Sequence, residues 1–84
     1  MPNFNGKAII TFKPGINDPQ AISVEEATYN LGYKNITNII SGKIFYFSID
    51  SKSLEEAKIE GKELCEKLLS NSVIENYELT VNLD

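Results

Sequence analysis

From Phe4 to Lys13 apolar and polar positions alternate, with Phe4, Ala8, Ile10 and Phe12 on one side and Asn5, Lys7, Thr11 and Lys13 mostly on the other. A period of two places each set on one face of an extended chain, so this stretch is expected to be a strand. Pro14-Gly15 stops it, because proline lacks a donor and glycine tolerates a positive φ. Asp18-Pro19 then reads as a helix start, with Asp18 accepting from the free amides of the first turn and Pro19 at the first helical position. The helix is expected to run to about Leu31, with Ile22 or Val24, Ala27, Thr28 and Leu31, spaced three and four apart, as its stripe and Gly32 as its left-handed cap.

Two runs rich in β-branched and aromatic residues follow, Ile36 to Ile40 and Lys43 to Asp50, and Ser41-Gly42 between them suits a tight hairpin. Ser53-Leu54-Glu55-Glu56 has the form of a capping box, and the helix after it is expected to reach about Ser70. Its apolar stripe is Leu54, Ala57, Gly61, Leu64, Cys65 and Leu68. Val73 to Leu83 is the last expected strand, with Tyr77, Leu79, Val81 and Leu83 on one face. The order βαββαβ predicts one α+β domain over residues 1–84, a two-layer sandwich of ferredoxin-like topology with an antiparallel sheet and two helices on one face.

If Ala8, Ile10, Phe12, Phe45, Phe47 and Ile49 face the helices, the opposite face carries Ile9, Ile44, Tyr46 and Ile74 beside Thr11. That surface is too apolar to be left in water, so it is expected to mark self-association or docking. Composition points the same way. A domain of 84 residues buries only about 60 to 65% of its unfolded surface, and a lone Cys65 rules out an intrachain disulfide, so oligomerisation is the remaining route to extra stability. The single thiol fits a reducing cytoplasm, and no run approaches the roughly 18 apolar residues of a membrane span, so a soluble, unexported protein is expected.

Charge and residue types narrow the chemistry. The net charge is −4 and the chain has neither Arg nor His. Without Arg there is no bidentate fork for phosphate, and without His the common triads, dyads and zinc sites lose a member. Cys65 lies on a helix stripe with no imidazole to activate it and is expected to be a core thiol. Glu25-Glu26 and Glu55-Glu56 are neighbours that do not face each other along a helix, which suits capping or solvent, and Asp50 at a strand end belongs with them. The Lys13 to Gln20 loop is the better candidate for binding, since loops on a rigid scaffold collect contact residues. Tyr33 and Tyr77, near element ends, are amphipathic anchors of the type found in interfaces. No catalytic, cofactor-binding or metal-binding residue is expected.

Three segments together resemble the PurS family: Thr11-Phe12-Lys13-Pro14-Gly15-Ile16-Asn17-Asp18-Pro19-Gln20, then Leu31-Gly32-Tyr33, then Cys65 through Tyr77. The chain departs from the family's usual pattern at Ala21, where Gly is frequent, and at Ser72, where Pro is frequent. The resemblance implies a non-catalytic small subunit of phosphoribosylformylglycinamidine (FGAM) synthase in de novo purine synthesis. In that family a large ATP-dependent synthetase subunit (PurL-like) and a glutaminase subunit (PurQ-like) convert formylglycinamide ribonucleotide (FGAR) to FGAM with ATP, Mg2+ and glutamine. The small subunit bridges them, and the uncovered sheet face or an edge strand is expected to pair this chain with itself as a dimer or a tetramer. On this reading Lys13, Pro14, Gly15, Asp18, Pro19, Gln20, Tyr33 and Tyr77 are the candidates for partner contact, and Ile9, Thr11, Ile44, Tyr46 and Ile74 for self-association. Two other classes share the topology. A small-ligand-sensing regulatory module would bind amino acids at a dimer interface, and an RNA-recognition module would use aromatics such as Phe45-Tyr46-Phe47, which the acidic, Arg-free balance disfavours.

Overall fold

The computed structural model describes residues 2–84. The elements run β1 (Asn3–Phe12), α1 (Pro19–Asn30), β2 (Gly42–Asp50), α2 (Leu54–Leu64), a π-helical turn (Cys65–Leu69) and β3 (Glu75–Leu83). β1 is the centre of an antiparallel sheet in the order β2-β1-β3. Its register sets Phe4 opposite Ile49 and Leu83, Ala8 opposite Phe45 and Leu79, and Ile10 opposite Lys43 and Tyr77. The α+β class, the antiparallel sheet and the two helices are as the sequence predicts.

One expected strand is absent. Ile36 to Ile40 is irregular, so there is no Ser41-Gly42 hairpin and the sheet has three strands. β-branched residues favour a strand only when a neighbour supplies a ladder, and here the segment is drawn to α1 instead. The Asn38 N–H donates to Glu25 Oε1 at 3.2 Å, and Ser41 donates to Asp18 through its N–H at 3.1 Å and its hydroxyl at 2.8 Å. Asn38 has a φ of 60°, which ends any extended run. Asn accepts that left-handed conformation more readily than a β-branched residue does.

The core lies between the sheet and α2. Ser53 Oγ accepts from the Glu56 N–H at 3.1 Å and starts the helix. Ala57 packs with Phe4 and Val81 against Ile49 and Leu79, while Cys65 packs with Ala8 and Ile10 against Phe47, Leu69 and Tyr77. Small residues at the contact let the helix sit close. Gly61 is buried, and a Cβ there would lie 3.1 Å from Leu79. Gly6 has the same role on the sheet, for the Phe47 ring lies over it where a side chain would be.

At Cys65 the spacing changes. The Ser70 N–H donates to the Cys65 carbonyl at 2.9 Å, five residues back, and this wider turn rotates the face that follows. Leu69 therefore packs on the core, whereas Leu68, which a strict 3.6 period would bury, is 74% exposed.

The first helix departs furthest from expectation. Its stripe is not covered by its own chain: Val24 and Leu31 are 46% and 76% exposed, and Ala21 is the only buried residue of α1. α1 does not lie beside α2 on the sheet but projects past its end. The radius of gyration is 16.6 Å, against about 12 Å for a compact chain of this length. A ten-residue strand followed end to end by a twelve-residue helix spans about 33 Å and then about 18 Å, which accounts for the 53 Å long axis.

Candidate interaction surface

Asp18 organises the root of this arm. Its Oδ1 accepts from the Ala21 N–H at 3.1 Å, capping α1, and from the Ser41 hydroxyl, while Oδ2 accepts from the Ser41 N–H. One carboxylate thus ties the start of the helix to the point where the chain returns to the sheet. The Ser41 hydroxyl lowers its pKa from the ordinary carboxylate value, with help from the Ala21 and Ser41 amides, and desolvation only partly opposes them. The loop before it is fixed by a turn, in which the Ile16 N–H donates to the Lys13 carbonyl at 3.2 Å. Gly15 takes a φ of 85°. The Lys13 N–H donates to the Ile74 carbonyl at 2.8 Å, pinning the loop to the segment before β3.

Between this loop, α1 and the return segment lies a groove of about 420 Å³, bordered by Lys13, Pro14, Gly15, Asp18, Ile22 and Ile40 among others. Four of the candidates for partner contact therefore meet in one place. Pro19 opens α1 beside it, and Gln20 borders a neighbouring hollow with Ser41 and Lys43. Lys13 also borders a second concavity of about 490 Å³, with Glu66, Ser70 and Tyr77. Tyr77 itself belongs to the core edge. Loss of water, and then the nearby Glu66 carboxylate, push its phenol above the ordinary value. Tyr33 stands apart from the other candidates, exposed beyond the end of α1.

The self-association candidates are brought together in part. Ile9 pairs with Ile44, and Tyr46, paired with Lys7, is 75% exposed. Thr11 lies beside them opposite Gly42. Ile74 lies outside the sheet, in the turn before β3, because Asn71 binds the Val73 N–H with its side chain and the Ile74 and Glu75 N–H groups with its carbonyl. On this face β3 contributes Asn76, Glu78, Thr80 and Asn82, so the apolar patch is confined to β1 and β2.

The larger exposed apolar surface is on the arm, where Ile22, Val24, Tyr29, Leu31, Tyr33, Ile36 and Ile40 all face solvent. Their number was legible in the sequence; their exposure was not. Lys34 Nζ sits 3.6 Å from the centre of the Tyr29 ring, a cation–π contact that covers one aromatic face. Cys65 is fully buried, and burial, followed by the Glu66 charge, raises its thiol pKa. Full burial with no imidazole in the sequence is the setting of a core thiol. Among the described residues no three His, Cys, Asp or Glu side chains gather as metal ligands, and no helix is long and apolar enough to cross a membrane. The arm and the β1–β2 face offer shape and apolar contact area.

Comparison with known proteins gives a consistent result. The PurS family, described as phosphoribosylformylglycinamidine (FGAM) synthase, matches residues 5–83. The chain is similar to the phosphoribosylformylglycinamidine synthase subunit PurS of Archaeoglobus fulgidus, 39% identical over 70 residues that cover 83% of this chain and 88% of the relative. The Bacillus subtilis PurS subunit is 35% identical over 75 residues, covering 89% and 88%. Among solved structures, Methanocaldococcus jannaschii PurS aligns with a TM-score of 0.82 at 31% identity, covering 96% of this chain and 98% of that one. A chain of the Thermotoga maritima PurLQS structure aligns with a TM-score of 0.86 at 25% identity, covering 96% and 99%.

Proposed function

The chain belongs to the PurS family of FGAM synthase subunits, and from that premise we propose that it is the assembly subunit that brings the ATP-dependent synthetase and the glutaminase together. PurS is a subunit of FGAM synthase, a ligase of purine biosynthesis. The observation that carries the proposal is the family match along almost the whole chain, on a molecule whose one thiol is buried and whose sequence has no His or Arg. The partners are a PurL-like and a PurQ-like subunit, in keeping with the name PurLQS given to the Thermotoga maritima assembly. We assign ATP, Mg2+ and glutamine to those two subunits, because phosphoryl transfer and glutamine hydrolysis need a phosphate cradle and an activated nucleophile.

The mechanism is positional. Rigid elements hold the Lys13 to Gln20 loop and the exposed residues of the arm, and these, with Tyr33, form the docking surface for the larger subunits. Self-association uses exposed apolar surface of the same chain, and the complex works in the cytoplasm. A small-ligand-sensing module is the reading that the family match disfavours.

Mixing the chain with the two larger subunits and resolving the mixture by size-exclusion chromatography tests this. Co-elution of all three is expected, weakened by Asp18→Ala with Gln20→Ala. Separate elution of the small chain under conditions where the synthetase is active would remove the proposal.

A further inference from the structure

β3 is an edge strand whose outer side is bare. Its register with β1 is unbroken from Phe4 opposite Leu83 to Phe12 opposite Glu75. It carries no proline, bulge or lysine of the kind that guards an edge in natural sheets. The Lys13 N–H donates to the Ile74 carbonyl and the Asp84 N–H to the Asn3 carbonyl, so the even-numbered residues of β3 make the ladder with β1. The odd-numbered ones aim their N–H and C=O groups outward. The Glu75 N–H is taken by the Asn71 carbonyl at 2.7 Å, but those of Tyr77, Leu79 and Val81 have no partner among the described residues.

The side chains of Tyr77, Leu79 and Val81, with Lys58 and Lys62 of α2, border a hollow of about 380 Å³. Gly61 lets this part of α2 sit close over Leu79 and Val81. Lys58 and Lys62, one turn apart, are both exposed, and neither has an ion-pair partner among the described residues; the ion pair nearby joins Lys67 to Glu63. An apolar floor, a rim of unpaired cations and a row of free main-chain groups therefore lie side by side.

We propose that β3 receives an extended segment, supplied by a larger subunit of the assembly, as a further strand of the sheet, and that this segment carries apolar and acidic side chains on its α2 side. This rests on the assembly reading above and specifies one of its contacts. Main-chain bonds supply the affinity of strand addition, and the pockets beside the strand select its side chains. On the α2 side an apolar residue meets Leu79 and Val81, and a carboxylate reaches Lys58 or Lys62. On the other side the neighbours are Asn76, Glu78, Thr80 and Asn82, which suit polar residues. A second copy fits less well, because antiparallel pairing of β3 with β3 sets both copies of α2 on one face and gathers the lysines of both at one seam.

Hydrogen exchange on the full chain reads the edge directly. The Tyr77, Leu79 and Val81 amides are expected to exchange freely in the isolated chain and to slow at least about tenfold in the mixture with the synthetase and glutaminase subunits. Adding each subunit singly shows which one supplies the segment. Two altered chains separate main-chain from side-chain contributions. Cys65 permits ligation of residues 1–64 to a synthetic segment 65–84 with a methylated Leu79 nitrogen, which removes one outward donor and keeps every side chain. Lys58→Glu with Lys62→Glu reverses the rim charge. Each should raise the Kd for the larger subunits at least about tenfold, whereas Lys52→Glu, outside the hollow, should leave it unchanged. Circular dichroism checks that each chain keeps its helix content; if the methylated chain does not fold, the exchange pattern of the natural chain decides. Unaltered exchange at Tyr77, Leu79 and Val81 in a mixture that co-elutes overturns the strand addition and leaves the assembly role standing. Protection of these amides already in the isolated chain gives the edge to a second copy and overturns it as well. A natural chain that fails to co-elute removes both.

Discussion

Replacing Gly6 with Ala sets two physical effects against each other. Gly6 lies on the central strand opposite Phe47 and Val81. Strand propensity alone makes alanine the better residue there by about 0.5 to 1 kcal/mol, since glycine loses more backbone freedom on folding. The packing has the opposite sign: a Cβ on Gly6 would collide with the edge of the Phe47 ring. That ring packs against the cluster of Ala8, Ile10 and Cys65, so moving it disturbs a dense core, at about 1 to 3 kcal/mol for overpacking. The net expectation is a loss of about 1 kcal/mol, or roughly 4 to 8 °C in Tm for a domain of this size. Urea unfolding at fixed protein concentration, which holds any contribution of association constant, measures it. Phe47→Leu should remove most of the penalty, so Gly6→Ala in that background becomes nearly neutral and the double-mutant cycle shows coupling of about 1 kcal/mol. A stabilising Gly6→Ala in the natural background would refute the reasoning, leaving propensity and not the ring to explain the glycine.

The π-helical turn predicts a contrast between neighbours: Leu69→Ala should lower stability by about 1 to 3 kcal/mol, whereas Leu68→Ala should stay within about 0.5 kcal/mol. Equal effects in denaturant unfolding would contradict the shifted register. Asp18 predicts a pH dependence. Its folded pKa lies below the ordinary carboxylate value, so its ionised form contributes stability that is complete above the unfolded value and is lost as pH falls through the folded one. The melting-temperature gap between the natural chain and Asp18→Asn should therefore be present at pH 6 and shrink as pH falls below about 4; a gap that widens on acidification would mean the carboxylate is not stabilised by these contacts.

The outlines of the fold were legible wherever local chemistry and tertiary context agree. Alternation marked β1, Asp18-Pro19 marked the start of α1, and Ser53 marked α2, since each signal is satisfied by neighbours in the chain. Ile36 to Ile40 misled because a strand also needs a partner, and the Asn38 turn and the Asp18 clasp claim the segment first. Leu68 misled because helical periodicity assumes a constant turn, and the change at Cys65 leaves no mark in composition. The α1 stripe was legible from its spacing, but its expected place beside α2 on one face of the sheet was not realised, since periodicity says that a face needs cover but not which molecule supplies it. For the same reason the loop from Lys13 to Gln20 was found as a unit, while the extent of the exposed arm appeared only in three dimensions.

The assembly role is tested most directly by reconstitution. Purified synthetase and glutaminase subunits of the same organism are supplied with FGAR, ATP, Mg2+ and glutamine, with and without this chain, and FGAM formation is followed. Product made from glutamine is expected only when the chain is present, and none from the chain alone. Equal rates with and without it would contradict the account.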